Sequence, residues 1–146
     1  MSEKANLLVS LISIVDDDQS VREATTSLLK SNGFRVEVFS SAEDFLASRY
    51  LGETKCLILD VQMPGMSGLE LQRRLTSANR DIPIVFISAH ENQEVRNQAM
   101  RSGAVDFLPK PFSEESLLRA IRAALQFARW PHQHGCQIRN TCYPCE

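Results

Sequence analysis

Short apolar runs separated by amphipathic stretches decide what this chain can fold into. Leu11–Val15, Phe34–Phe39, Cys56–Leu59, Ile82–Ile87 and Val105–Leu108 read as five strands. Leu11–Val15, Cys56–Leu59 and Ile84–Ile87 are largely apolar rather than alternating. A strand wetted on one face alternates, whereas one covered on both faces does not, so these three read as central strands of a parallel sheet. The stretches between have a helical period. Val21, Ala24, Leu28 and Leu29 make one apolar stripe, and Leu117, Leu118, Ile121, Ala124, Leu125 and Ala128 make another. Ser20, Ser40 and Ser67 each precede a Glu by three residues, the spacing of a capping box. Asn32-Gly33 and Ser102-Gly103 supply left-handed helix stops. Glu114 and Glu115 after Ser113 suit the positive end of a last helix. The order βαβαβαβαβα argues an α/β protein, a doubly wound three-layer sandwich on a parallel sheet. Ligands of such sheets sit at the carboxyl ends of the strands, beside the topological switch point.

Length and composition narrow the function. The chain has 146 residues, 43% hydrophobic and 23% charged, which fits one globular domain and excludes general disorder. A net charge of -2 gives no basic footprint, so direct nucleic-acid binding is not expected. No apolar run approaches the roughly 20 residues that span a bilayer, so no membrane contact is expected. The N-terminus lacks a basic region, a long apolar core and a small-residue cleavage site, so no signal peptide is expected and the cytoplasm is the expected compartment. The periodic region ends near Arg129. Residues 130–146 hold the only Trp, two of the three His and three of the four Cys, and Pro131 and Gly135 break any helix entering them. The expected division is therefore a domain over 1–129 and a Cys/His-containing tail over 130–146. Low apolar content predicts a disordered tail. The rival reading is a zinc site from Cys136, Cys142, Cys145 and His132, though the spacing is not that of a familiar finger.

The chemistry gathers at the strand ends. Asp16, Asp17 and Asp18 follow the first run, Asp60 the third, Ser88 the fourth, and Lys110, between Pro109 and Pro111, the fifth. Carboxylates packed together repel, and a divalent cation resolves the repulsion. An oxygen-only set without nearby His or Cys favours magnesium. Lys110 and Ser88 suit a phosphoryl group, and an Asp can attack phosphorus to form an acyl phosphate. Each residue also has a plainer reading. Asp18 and Ser88 are good helix caps, Lys110 a solvent-facing turn residue, and Phe107 a core aromatic. Chance explains the conjunction poorly, because four strands must deliver matching groups to one edge.

Ile14-Val15-Asp16-Asp17-Asp18, the stretch Leu57–Gly68 with Asp60, Met63-Pro64-Gly65-Met66 and Gly68, Ile87-Ser88-Ala89 and Lys110-Pro111-Phe112 resemble the receiver domain of two-component response regulators. The resemblance covers about residues 9–128, and Ser102–Leu108 is most similar to FixJ-type receivers. It implies a flavodoxin-like five-stranded sheet in the order 2-1-3-4-5. It implies that Asp60 is the phosphoacceptor, taking its phosphoryl group from a sensor histidine kinase. Asp17, Asp60 and the Gln62 backbone carbonyl would ligate magnesium, with Asp16 acting largely through water. Lys110 would pair with the phosphoryl oxygens, and its bond to Pro111 would be cis, the isomer that proline permits. Ser88 would move toward the phosphoryl group and Phe107 would turn into the space left. The fourth helix, fifth strand and fifth helix would form the output face, meeting an output protein or a second copy. FixJ-type regulators continue into a DNA-binding helix-turn-helix, which residues 130–146 cannot form. The expectation is therefore a phosphoacceptor signalling domain that turns over only its own phosphoryl group. The alternatives are a truncated transcriptional regulator without its DNA-binding domain and an Asp-nucleophile phosphatase. Asp16-Asp17-Asp18 formally offers the D-x-D of the latter, but Asp60, Met63-Pro64-Gly65 and Lys110-Pro111 favour the receiver.

Overall fold

A computed structural model describes residues 10–90 and 92–129. The strands are β1 (Leu11–Val15), β2 (Arg35–Phe39), β3 (Thr54–Asp60), β4 (Ile84–Ser88) and β5 (Asp106–Pro109). The helices are α1 (Gln19–Ser31), α2 (Ala42–Leu46), α3 (Gly68–Ser77), α4 (Gln93–Arg101) and α5 (Glu114–Arg129). All pairings are parallel, in the order β2-β1-β3-β4-β5. This is the flavodoxin-like order expected above.

The unbroken apolar runs have a direct cause. Alternate residues of one strand enter two different cores. Leu57 and Leu59 of β3, with Phe86 of β4, pack among Phe45, Leu71, Leu75 and Ala99 of α2, α3 and α4. Cys56 and Ile58, with Val85 and Ile87, pack among Leu29 of α1 and Leu117, Ile121 and Ala124 of α5. Each fully buried Leu, Ile or Phe contributes about 1.5–3 kcal/mol of transfer free energy. The edge strand β2 is the wettest, with none of its five residues fully buried and Val38 43% exposed.

Strand limits differ from the sequence reading by a residue or two. Phe34 donates its N–H back to the Leu29 carbonyl (3.1 Å), so it closes α1 and β2 starts at Arg35. Ile82 lies outside β4, whose strand begins after Pro83, a residue with no N–H to give to a ladder.

Two of the three capping boxes shift. Asp18, not Ser20, caps α1, its carboxylate accepting from Ser20 N–H (2.9 Å) and Val21 N–H (3.4 Å). An ionised acceptor lying two residues earlier leaves Ser20 inside the first turn. Ser41, not Ser40, caps α2 by accepting from Asp44 N–H at 3.0 Å. Ser67 does cap α3, accepting from Glu70 N–H at 3.1 Å. Gly33 (φ 90°) and Gly103 (φ 105°) provide the left-handed stops.

Candidate functional site

The chain leaves β1 to build β2 on one side and then crosses to build β3 on the other, so the topological switch lies between β1 and β3. Val15 pairs with Leu59, which sets the next residues, Asp16 and Asp60, side by side at the carboxyl edge. Asp16 is fully buried, Asp60 is 5% exposed, and Asp17 is exposed. One carboxylate oxygen from each of the three lies within 4.8 Å of the others. From β5, Lys110 places Nζ 2.9 Å from Asp16 Oδ2 and 3.7 Å from Asp60 Oδ1. Its backbone N–H donates to the Ser88 carbonyl at 2.7 Å, which ties the β5 edge to β4. The Lys110–Pro111 peptide is cis, the isomer the resemblance implied.

Electrostatics follow from this crowding. Burial and the Asp16 carboxylate push the Asp60 carboxyl up to about 7 from 3.8, against the opposing pull of Lys110 and the Gln62 N–H. Burial alone would depress the Lys110 ammonium, but its hydrogen bond to Asp16 and the Asp60 charge outweigh that, and it is raised. Three carboxylates against one ammonium leave two negative charges uncompensated when all are ionised. The deficit matches a divalent cation, and the all-oxygen donor set matches a hard one such as magnesium.

The response regulator receiver domain model matches residues 12–122. The chain belongs to the response regulator receiver domain family. Response regulator protein TmoT of Ectopseudomonas mendocina is 50% identical over 129 residues, 88% of this chain and 59% of its own. The solved structure of response regulator StyR is 51% identical with TM-score 0.76, covering 82% of this chain and 60% of that one. FixJ-N is 38% identical with TM-score 0.73, covering 80% and 93%. This chain therefore spans less than two thirds of the length of TmoT.

The other site residues expected of the receiver fall as follows. Ser88, at the end of β4, is 4% exposed, and its hydroxyl donates to the His90 carbonyl (2.8 Å) and accepts from the His90 N–H (3.1 Å). It does not cap α4, because Asn92 does, accepting from Glu94 and Val95 N–H. Phe107 of β5 is 5% exposed, with its ring 6.2 Å from that of Phe86, so the aromatic already faces inward while Ser88 is bonded to its own loop. Asp18 serves α1 as its cap. The tail residues His132, Cys136, Cys142 and Cys145 lie outside the described residues, and so do the zinc and disorder readings placed on them.

Three residues that shape this edge escaped the sequence reading as site residues. A Cβ on Gly68 would lie 2.3 Å from the Asp60 carbonyl oxygen and 3.0 Å from Val61 Cα, so only glycine lets the start of α3 press against the end of β3. The motif spacing marked Gly68, but not this contact. Glu43 of α2 accepts from the Met66 N–H at 3.2 Å and braces the loop between β3 and α3. Arg22 of α1 donates to the Asp16 carbonyl at 2.7 Å. No sequence signal announces either bond: the Glu43 bond depends on how α2 lies against a distant loop, and the Arg22 bond on how its side chain folds back over the adjoining turn between β1 and α1.

Proposed function

We propose that Asp60 accepts a phosphoryl group from a phosphohistidine on a sensor histidine kinase, with magnesium, and that the change alters the α4–β5–α5 face. The observation that carries this reading is the meeting of Asp16, Asp17 and Asp60 oxygens within 4.8 Å under the Lys110 ammonium. Asp17, Asp60 and the Gln62 backbone carbonyl would hold the cation, with Asp16 reaching it largely through water. Bound there, magnesium would neutralise phosphoryl oxygens and keep the Asp60 carboxyl ionised.

The chain's own groups do the rest. An Asp60 carboxylate oxygen attacks phosphorus, a new P–O bond forms, the P–N bond to the kinase imidazole breaks, and its electron pair stays on nitrogen. Lys110 stabilises charge on the phosphoryl oxygens from its anchored position. Water attack later releases inorganic phosphate and restores the Asp60 carboxylate, so the domain turns over only its own phosphoryl group. Ser88 would exchange its bonds to His90 for one to the phosphoryl group. Phe107 would settle further against the space it leaves, and β5 would carry the change to α4 and α5. An output protein or a second copy would read that face, in the cytoplasm, with no direct contact between this domain and nucleic acid.

The test is labelling by a small phosphodonor such as acetyl phosphate with magnesium. The parent takes up one phosphoryl group and Asp60→Asn takes up none, while both remain folded. Labelling of the Asn variant at the parent's level overturns the assignment.

A further inference from the structure

Asp16 is held at every polar end it has. Its N–H donates to the Phe39 carbonyl (3.1 Å), and its carboxylate accepts from the Asp18 N–H (2.9 Å) and from Lys110 (2.9 Å). The fourth end is the carbonyl, which accepts from Arg22 Nη1 at 2.7 Å, a bond reaching back from the first turn of α1. That carbonyl belongs to the peptide unit joining Asp16 to Asp17. The unit is planar, so fixing its oxygen also fixes the N–H and the Cα of Asp17. Asp17 is the exposed member of the carboxylate trio, and its placement depends on the backbone beneath it more than on packing around it.

Charge alone gives Arg22 the wrong sign for this place. A fixed cation beside a divalent-cation site repels the incoming ion. It also sits in the first turn of a helix, where the backbone dipole favours anions. If Arg22 acted only through its charge, removing it would tighten cation binding. We propose that Arg22 is a positioning residue for the cation site: by holding the Asp16 carbonyl it aims the Asp17 carboxylate at the space shared with Asp16 and Asp60. This deepens the reading of Asp16, Asp17 and Asp60 as a magnesium site and rests on it. Geometry and charge then predict opposite outcomes for the same substitution, so one titration separates them.

The experiment is calorimetric titration of the metal-stripped full chain with magnesium, for the parent, Asp17→Asn, Arg22→Met and Arg22→Lys. Arg22→Met keeps the stem and loses both donor and charge; its dissociation constant should rise about tenfold, the low end of what partners of metal ligands carry. Arg22→Lys keeps the charge and one shorter-reaching donor, so its affinity should fall between Met and parent. Because its charge is unchanged, any weakening is geometric, and this variant decides the matter if Arg22→Met does not fold. Acetyl phosphate labelling of both variants should recover at saturating magnesium, which a general distortion of the site would not allow. Binding by both Arg22 variants as tight as the parent's, or tighter, overturns the proposal. Asp17→Asn tests the underlying reading separately: if it binds magnesium like the parent, the cation site itself has been misassigned, whatever Arg22 does.

Discussion

Replacing Asp60 by Asn should stabilise the metal-free protein, and the gain should depend on pH. The folded domain holds the Asp60 carboxyl at about 7 against 3.8, because burial and Asp16 disfavour its charge. A group raised on folding contributes stability that is fully present below the unfolded value and is lost as pH rises through the folded one. Here the loss runs from about pH 4 to about pH 7, and the difference corresponds to a ceiling of about 4 kcal/mol. Asn carries no charge, so it escapes this loss. Lys110 is not orphaned by the change, since Asp16 still accepts from it at 2.9 Å. The gain should be about 2–4 kcal/mol near pH 8, part of it offset by altered bonding to the Gln62 N–H, and should shrink toward zero near pH 4. Urea unfolding in EDTA across that range measures it, with the slope against denaturant checked for constancy. Magnesium should reverse the order by stabilising the parent alone. An Asn variant no more stable than the parent near pH 8, or a difference that does not change with pH, would refute the argument.

Gly68→Ala places a Cβ 2.3 Å from the Asp60 carbonyl oxygen; it should cost about 2–3 kcal/mol and slow acetyl phosphate labelling, because the end of β3 must give way. Parent-like unfolding and labelling would contradict that. Asp18→Ala removes the α1 cap and should cost about 1 kcal/mol, yet leave labelling at saturating magnesium in place; abolished labelling would mean that Asp18 does more than cap. Burial pushes the Cys56 thiol up to about 12, so the Cys56 peptide should stay unalkylated in the native protein and react only on unfolding. Rapid native modification, read by peptide mass, would contradict its buried placement.

What was readable from the sequence follows the range of the physics. The sheet was legible because Cys56, Leu57, Ile58 and Leu59 are all apolar, and only two-sided burial explains such a run. The acids at the switch point were legible because a parallel sheet puts every strand's carboxyl end on one edge. Cap identities were less secure. Asp18 and Ser20 both fit the start of α1, and Ser40 and Ser41 both fit α2, so the choice turned on hydrogen bonds that spacing does not resolve. Arg22, Glu43 and the Gly68 contact stayed hidden, because each meets backbone atoms, and residue types and spacing do not show where a backbone carbonyl or N–H comes to lie. The left-handed Asn79 (φ 60°) after α3 likewise carried no glycine to mark it.

The central claim is that the acid held by β3 is the group that attacks phosphorus. Tandem mass spectrometry of the full chain after acetyl phosphate and magnesium, quenched before the acyl phosphate hydrolyses, tests it most directly. The account predicts a single phosphoryl group on Asp60, lost when EDTA replaces magnesium. A phosphoryl group on Asp16, Asp17 or a histidine, or undiminished labelling of Asp60 in EDTA, would contradict it.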